Sequence, residues 1–347
     1  MTIQQRIDAF GLLGARLRDP GNTAVSAIID LAGRHNSWFT PSNVKRSIHS
    51  LANLLQTDNL EKWLSPYPFT HAIPKTVGLV FAGNIPLVGF HDLLAVLCAG
   101  FSAQIKLSSN DQVLYRYLID ELIEIEPGFR QQIKEVERLQ DFDLVIATGS
   151  DNSARYFEYY FGKYPHIIRK NRNGVAILQG NETPEQLNAL GDDIFSYFGL
   201  GCRNVSKLYL PKDYDLAKFF EGIAAHATVF DHHKYANNYD FNKSLYLING
   251  DPHFDNGFLL LRPTPGLASP LAVVNYEEYE STEVLRENLE AVKDGIQCVV
   301  GKVNLDLPGI SVVDFGRSQF PALTDYADGI NTLAFLTEHY SWPNIID

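Results

Sequence analysis

Cys202 stands directly after two closely spaced glycines, in Phe198-Gly199-Leu200-Gly201-Cys202-Arg203, between a helix-like run and a strand-like one. Glycine permits the turn that ends a helix and lets a ligand approach backbone. A thiol held at such a boundary can act as a nucleophile once deprotonated. Cysteine is equally among the most often buried residue types, so a packing role stands beside the chemical one. Asn84, in Ala82-Gly83-Asn84-Ile85-Pro86, reads either as a turn residue or as an amide donor to a developing oxyanion. Lys106, followed by Ser108 and Ser109, is either a solvated cation or a contact to ribose or phosphate. Thr148-Gly149-Ser150 precedes a helical stretch and can present backbone N–H groups to a phosphate. His226, Asp231, His232 and His233 include metal-ligand types, but adjacent histidines without a partner cysteine or an i, i+4 pair make a weak pattern. No metal is expected, and that segment is read as a loop near a site mouth or an interface. Cys98, on an apolar helix, and Cys298, inside a strand, are read as structural.

The elements around these residues repeat one plan. Val77–Ala82 is a continuous apolar run, as expected of a strand buried on both faces of a parallel sheet, and the largely apolar Phe101–Ile105 and Phe142–Ala147 are read as two further buried strands. Each is followed by a polar or glycine-bearing loop and then a helical pattern, the signature of a Rossmann-like α/β layer. Ligands in such sheets bind at the carboxyl ends of strands, where Asn84, Lys106 and Thr148-Gly149-Ser150 lie. Neither the G-x-G-x-x-G fingerprint nor a P-loop is present, so any nucleotide is held differently. Val175–Leu178 reads as one more short strand, and the boundary to a second α/β unit is expected near Gly180. Thr183-Pro184-Glu185-Gln186 is a capping box opening a helix that ends at Gly199, and Val205–Leu210 is a strand, which leaves Cys202 in the link. Beyond it the pattern predicts a helix near Leu216–Ala225 and strands near Leu245–Ile248, Phe258–Leu261 and Leu271–Val274. A helix through Leu285–Val292 and a strand at Ile296–Val300 follow, while Tyr276-Glu277-Glu278-Tyr279-Glu280 reads as a solvated segment. Ahead of Tyr67 the chain reads as helices, with Thr40 as a cap, Pro41 at the first helical position, and Trp38, Phe39 and Trp63 as packing residues.

At 347 residues the chain exceeds one ordinary core. The expected organisation is residues 1–180 as N-terminal helices plus a nucleotide-binding Rossmann-like domain and 181–310 as an α/β domain carrying Cys202. The tail 311–347 is left open in its allegiance. A formal net charge of -12 argues against nucleic acid or an anionic membrane surface as partner. Three cysteines without a CxxC pair suit a reducing compartment. The apolar stretch from Thr76 to Gly100 is interrupted by Asn84, Pro86, His91 and Asp92, so no membrane span is expected, and the start lacks a signal-peptide layout. The expected location is cytoplasmic.

The order of the pieces is more specific than any one of them. Ala82-Gly83-Asn84-Ile85-Pro86-Leu87, Lys106-Leu107-Ser108-Ser109, Ala147-Thr148-Gly149-Ser150, Leu178-Gln179-Gly180 and Gly201-Cys202 together resemble the aldehyde dehydrogenase superfamily. The likeness runs from Val77 onward. It is strongest to the acyl-CoA reductase branch, the LuxC-type fatty-acid reductases, through Ala82-Gly83-Asn84 with Pro86, Phe315-Gly316-Arg317-Ser318-Gln319 and Asp325-Tyr326-Ala327-Asp328. The resemblance implies two Rossmann-like α/β domains of the aldehyde dehydrogenase type and a homo-oligomer, with the oligomerisation hairpin reduced or missing in so short a chain. It further implies Cys202 as nucleophile, with the Asn84 amide and the Cys202 backbone N–H holding the oxyanion. Lys106 and Ser108 would hold the ribose, and Ala82, Gly83, Ser109, Thr148, Gly149 and Ser150 would complete the dinucleotide site.

Departures from the pattern shape the expected chemistry. Ile177 is taken to occupy the position of the glutamate that activates water in aldehyde-oxidising members, and an apolar side chain cannot act as a base. Acyl-CoA, or an acyl-protein thioester, would then be reduced to aldehyde rather than aldehyde oxidised to acid. Ser109 stands where an acid often meets the ribose, which removes repulsion toward a 2′-phosphate and favours NADP(H). The nearest match to the family's Glu-x-Phe-Gly-Pro contact, Gly266-Leu267-Ala268-Ser269-Pro270, lacks the acid. The alternatives are an ordinary aldehyde dehydrogenase and a catalytically silent subunit that accepts an acyl group.

Overall fold

The computed structural model describes residues 1–71, 75–303 and 307–340. Two compact units emerge: Met1–Lys170 with residues 322–340, and Asn171–Pro321. Residues 341–347 of the expected tail lie outside the described ones.

The first unit opens with α1 (Ile3–Arg18), α2 (Thr23–His35), α3 (Pro41–Leu54) and α4 (Thr57–Leu64). Ile7, Phe10, Leu13 and Leu17 repeat at helical spacing and are all buried, so α1 forms because one face has a core to enter. At α3 the Thr40 side chain accepts the Asn43 amide and Pro41 fills the first turn, a cap worth about 1 kcal/mol. The sheet contains β1 (Thr76–Val80), β2 (Ser102–Lys106), β3 (Ile133–Glu135), β4 (Leu144–Thr148) and β5 (His166–Arg169), in the order β3-β2-β1-β4-β5 with every pair parallel. Helices α5 (Phe90–Cys98), α6 (Gln112–Ile125) and α7 (Asp151–Phe161) follow β1, β2 and β4. The order reverses beside β1, so the loops after β1 and β4 part there and leave the crevice in which doubly wound sheets bind ligands.

In the second unit β6 (Asn173–Ile177) leads to α8 (Pro184–Phe195), then β7 (Val205–Pro211), α9 (Leu216–Gly222) and α10 (His233–Asn249). The remaining elements are β8 (Phe254–Asp255), β9 (Leu260–Pro263), β10 (Val273–Tyr279), α11 (Thr282–Val292), β11 (Ile296–Val300) and β12 (Ser311–Val313). The sheet order is β12-β11-β6-β7-β10-β9-β8, parallel except where β8 meets β9. The capping box at α8 forms as its sequence predicts, Thr183 and Gln186 bonding reciprocally. The chain then returns to the first unit, where α12 (Thr332–Glu338) is tied by Thr332 to a buried pair formed by Arg169 and Asp92.

The sequence expectation of two Rossmann-like α/β layers with N-terminal helices is what folds. Two local readings are corrected. Leu245–Ile248 is the last part of α10, not a strand, because a short apolar run carries no period long enough to separate the two. Tyr276–Glu280 is only partly solvated, with Glu278 and Glu280 exposed: Tyr276–Tyr279 belong to β10, between β7 and β9, where Glu277 reaches the fully buried Lys207 at 3.0 Å. Burial holds the Lys207 ammonium below its ordinary pKa, and Glu277 opposes that shift.

Candidate active site

In the first unit the sequence-selected residues lie at the carboxyl ends of three adjacent strands. Ala82, Gly83 and exposed Asn84 follow β1; exposed Lys106 closes β2, with Ser108 and Ser109 after it; Thr148 closes β4, with Gly149 and Ser150 leading into α7. The loop after β1 is braced from α6 and the residue before it. Leu87, at φ 59°, donates its amide to the Asp111 carboxylate at 2.6 Å, and Gly89 donates to the Tyr115 hydroxyl at 2.7 Å. Asp111 is 1% exposed and its Oδ1 finds no partner, so burial pushes its pKa well above the usual carboxylate range.

Glycine is required at position 83. A Cβ there would sit 2.3 Å from Ser108 Oγ and 2.6 Å from Ser108 Cβ. The two loops therefore touch backbone to side chain, forming a close cradle at the strand ends. At Gly149 a Cβ would lie 2.7 Å from Ser153 Cβ and 2.9 Å from Phe157, so the strand runs tightly into α7. Ser150 caps that helix by accepting the Ser153 amide, and the remaining N-terminal amides are suited to phosphate. His35 bonds the Ser109 carbonyl at 2.8 Å, which fixes the second loop from α2. A cradle of small residues, a helix N-terminus and an exposed lysine at the carboxyl ends of adjacent strands are groups that can meet a phosphate.

In the second unit Cys202 is half-buried, while Cys98 and Cys298 are fully buried. Burial pushes the Cys98 thiol up to about 12, which makes it inert at neutral pH. Helix α8 stops at Phe195, and a short turn through Tyr197, Phe198 and Gly199 follows with φ of 52°, 60° and 81°. Left-handed backbone costs a non-glycine residue about 1–2 kcal/mol, so this turn must be held by its surroundings. Gly201, Cys202, Arg203 and Asn204 then form a tight turn closed by the Asn204 amide on the Gly201 carbonyl at 3.0 Å. The Gly201 amide returns to Asn204 Oδ1 at 2.8 Å, and Asn204 Nδ2 reaches the carbonyls of Asp193, Ile194 and Ser196 at 3.0, 3.3 and 2.8 Å. Below the turn, Gly174 of β6 donates to the Asn204 carbonyl at 3.1 Å, and Cys298 lies under the Arg203 carbonyl.

The role given to Ile177 is corrected. Strand β6 pairs in parallel with β7, Gly174 opposite Val205 and Ile177 opposite Tyr209. Cys202 precedes β7, so Ile177 stands at the far end of the strand pair, about 10 Å beyond Gly174 at 3.3 Å per residue. Its side chain is 1% exposed and packs with Val175, Tyr209, Leu285 and Leu289. The residue level with the turn is Gly174. Among the described residues of this unit, the carboxylate tied to the turn's surroundings is Asp193, and both its oxygens are engaged, by the amides of Gly316 at 2.6 Å and Ser318 at 2.9 Å. Burial raises its pKa.

Asn204 and Asp193 escaped the sequence reading. The signal for Asp193 is an acid on the apolar face of α8, beside Leu190 and Ile194; that for Asn204 is a turn-forming residue at the start of a strand. The histidine segment is accounted for by packing: His226 stacks on Phe195 and bonds the Asn188 carbonyl at 2.8 Å, and the His232 ring lies 4.2 Å from that of Phe198. Among the described residues no group of three or more His, Cys, Asp or Glu could hold a metal ion, and no helix is long and apolar enough to cross a membrane.

No family model matches the chain, and no curated protein matches it. Solved structures do. An indole-3-acetaldehyde dehydrogenase complexed with NAD+ superposes with a TM-score of 0.68 at 12% identity, covering 96% of this chain and 82% of that one. Aldehyde dehydrogenase 21 from Physcomitrella patens, in complex with the reaction product succinate, gives 0.67 at 13%, covering 97% and 84%. A Mycobacterium tuberculosis aldehyde dehydrogenase complexed with NAD+ gives 0.62 at 11%, covering 86% and 73%.

Proposed function

The chain has the aldehyde dehydrogenase fold, and from that premise we propose that it is an NADPH-dependent acyl-CoA reductase acting through Cys202. What supports this most is the Cys202 turn itself: a half-buried thiol at the head of β7, on backbone fastened from several sides. We assign Cys202 the role of nucleophile and assign no residue to activating water, so the acyl-enzyme passes to reduction rather than hydrolysis.

In the proposed reaction the Cys202 thiolate attacks the thioester carbonyl and forms a carbon–sulfur bond. The oxyanion is assigned to the Asn84 amide and the Cys202 backbone N–H. Collapse expels the coenzyme A thiolate, which takes up a proton, and leaves acyl-Cys202. NADPH, when bound, supplies the hydride that reduces the acyl carbon. Cys202 then departs as thiolate and the aldehyde is released. Lys106 and Ser108 are assigned to ribose, Gly149 and Ser150 to the pyrophosphate, and Ala82, Gly83 and Thr148 to the walls of the cradle. Ser109, carrying no charge, is assigned tolerance of the 2′-phosphate. A thioester on a carrier protein offers the same carbonyl, and a homo-oligomeric, cytoplasmic enzyme accords with this reading.

The test uses the purified full-length protein with a panel of acyl-CoAs and NADPH. Aldehyde formation coupled to NADPH consumption, abolished in Cys202→Ala, is the expected result. Oxidation of aldehydes to acids as the dominant reaction would overturn the thioester reading in favour of an aldehyde dehydrogenase. Acyl-CoA consumption without cofactor turnover would point to an acyl-accepting subunit.

A further inference from the structure

One carboxamide, that of Asn204, links the Cys202 turn to the end of α8. We infer that Asn204 is the positioning residue of the nucleophile: it clamps the end of α8 to the amide that precedes Cys202 and so fixes where the Cys202 thiol and backbone N–H point. This rests on the reading of Cys202 as nucleophile.

Three facts converge on Asn204. It is 3% exposed, so its polar atoms have no solvent to fall back on. Its Nδ2 gathers three main-chain carbonyls at the end of α8, those of Asp193 and Ile194 in the last turn and of the C-cap Ser196, groups that a helix end leaves without intrahelical donors. Its Oδ1 receives the Gly201 amide while its own amide returns to the Gly201 carbonyl, so the turn's first and last residues are bonded twice. Cys202 and Arg203 are the residues enclosed between them.

The stretch it spans is otherwise hard to hold. Tyr197, Phe198 and Gly199 are consecutive left-handed residues, and a bulky side chain rarely adopts that backbone unless the surroundings over-determine it. Asn204 bonds on both sides of that stretch, to Ser196 before it and Gly201 after it. From beneath, Gly174 admits the turn because a Cβ there would meet the Arg203 and Asn204 carbonyls at 2.7 Å. Removing the carboxamide releases the α8 end and the Cys202 turn from each other while leaving the thiol in place. Catalysis by a nucleophile whose backbone also serves the oxyanion is sensitive to such a shift, about a hundredfold for a displacement of 1 Å.

The experiment pairs two readouts on the full-length protein and its Asn204→Ala and Asn204→Asp variants. One is turnover of an acyl-CoA with NADPH. The other is alkylation by iodoacetamide, mapped by peptide mass, which needs a thiolate but no oxyanion site. The inference predicts that kcat falls about a hundredfold in Asn204→Ala, with KM for NADPH unchanged and Cys202 still alkylated within a few-fold of the wild-type rate. Cys98 and Cys298 stay unlabelled, since both remain buried. Labelling of those two would show unfolding. The decision then passes to Asn204→Asp, which keeps the acceptor for the Gly201 amide, loses the donors to α8, and must show the same kcat loss. An Asn204 variant that keeps its buried cysteines unlabelled and turns over within threefold of wild type overturns the inference. Turnover that persists in Cys202→Ala instead overturns the reading of Cys202 on which it rests.

Discussion

Leu87 donates its backbone amide to the carboxylate of Asp111 at 2.6 Å, and Leu87 holds a left-handed backbone while doing so. The bond fastens the loop that carries Asn84 to the start of α6, and it places a carboxyl group at 1% exposure. Burial raises the carboxyl pKa on folding, with the Leu87 bond opposing. The native chain therefore keeps a proton that the unfolded chain releases above about pH 4. Relative to a neutral isostere, wild-type stability is full below that pH and falls as pH rises through the raised value. Asp111→Asn retains an acceptor for Leu87 and removes the ionisation. Urea unfolding of both proteins between pH 4 and pH 8 should show the asparagine variant gaining on wild type as pH rises. A difference that does not change with pH contradicts this.

Gly83 and Ser108 leave no room for a methyl group between them. Gly83→Ala should part the loops after β1 and β2 and weaken NADPH binding about tenfold, measured by titration of nucleotide fluorescence, with iodoacetamide labelling of Cys202 unaffected. Because Ser108 is itself assigned to ribose, the comparison is made in a Ser108→Gly background, where the clashing Cβ is gone and Gly83→Ala should cost less than it costs wild type. An equal cost in both backgrounds would show that the clash is not the cause.

Ser109 is exposed and fixed through its carbonyl by His35. Ser109→Glu places a negative charge where the 2′-phosphate is assigned. Across about 4 Å at a surface dielectric this repulsion is of the order of a few kcal/mol before screening by salt. The ratio of kcat/KM for NADPH to that for NADH should fall at least about tenfold. An unchanged ratio would remove Ser109 from the cofactor site.

Gly174 bears the Cys202 turn from below. Gly174→Ala drives a methyl group against main-chain carbonyls that cannot rotate away, so overpacking of about 1–3 kcal/mol is expected. Chemical denaturation reads the loss directly. A variant as stable as wild type would mean that the turn is free to lift.

The legible parts of this chain are those where burial leaves a continuous mark. Strands β1 and β4 are largely apolar because both faces of a parallel sheet are covered, and the helices around them show one apolar stripe each. Strand β5 escapes that reading because it is His166-Ile167-Ile168-Arg169, its terminal arginine buried against Asp92 on α5. The acidic run at Tyr276–Glu280 misleads for a related reason, since Glu277 stands beside a lysine seventy residues earlier that no local pattern announces. Cys202, Asn84 and the strand-end loops are candidates that the sequence offers as residue types in order. Asn204 and Asp193 are not, because their partners are main-chain atoms brought to them by the fold. Ile177 shows the converse hazard: matched by order along the chain, it lies at the other end of the strand from the cysteine it was set against.

The central claim is that Cys202 carries the acyl group. Full-length protein mixed with an acyl-CoA in the absence of reductant should gain the mass of one acyl group, mapped by proteolysis to the peptide bearing Cys202, and should lose it on addition of NADPH with release of one equivalent of aldehyde. An acyl group found on another residue, or none formed on wild type under conditions that support aldehyde production, would contradict the account.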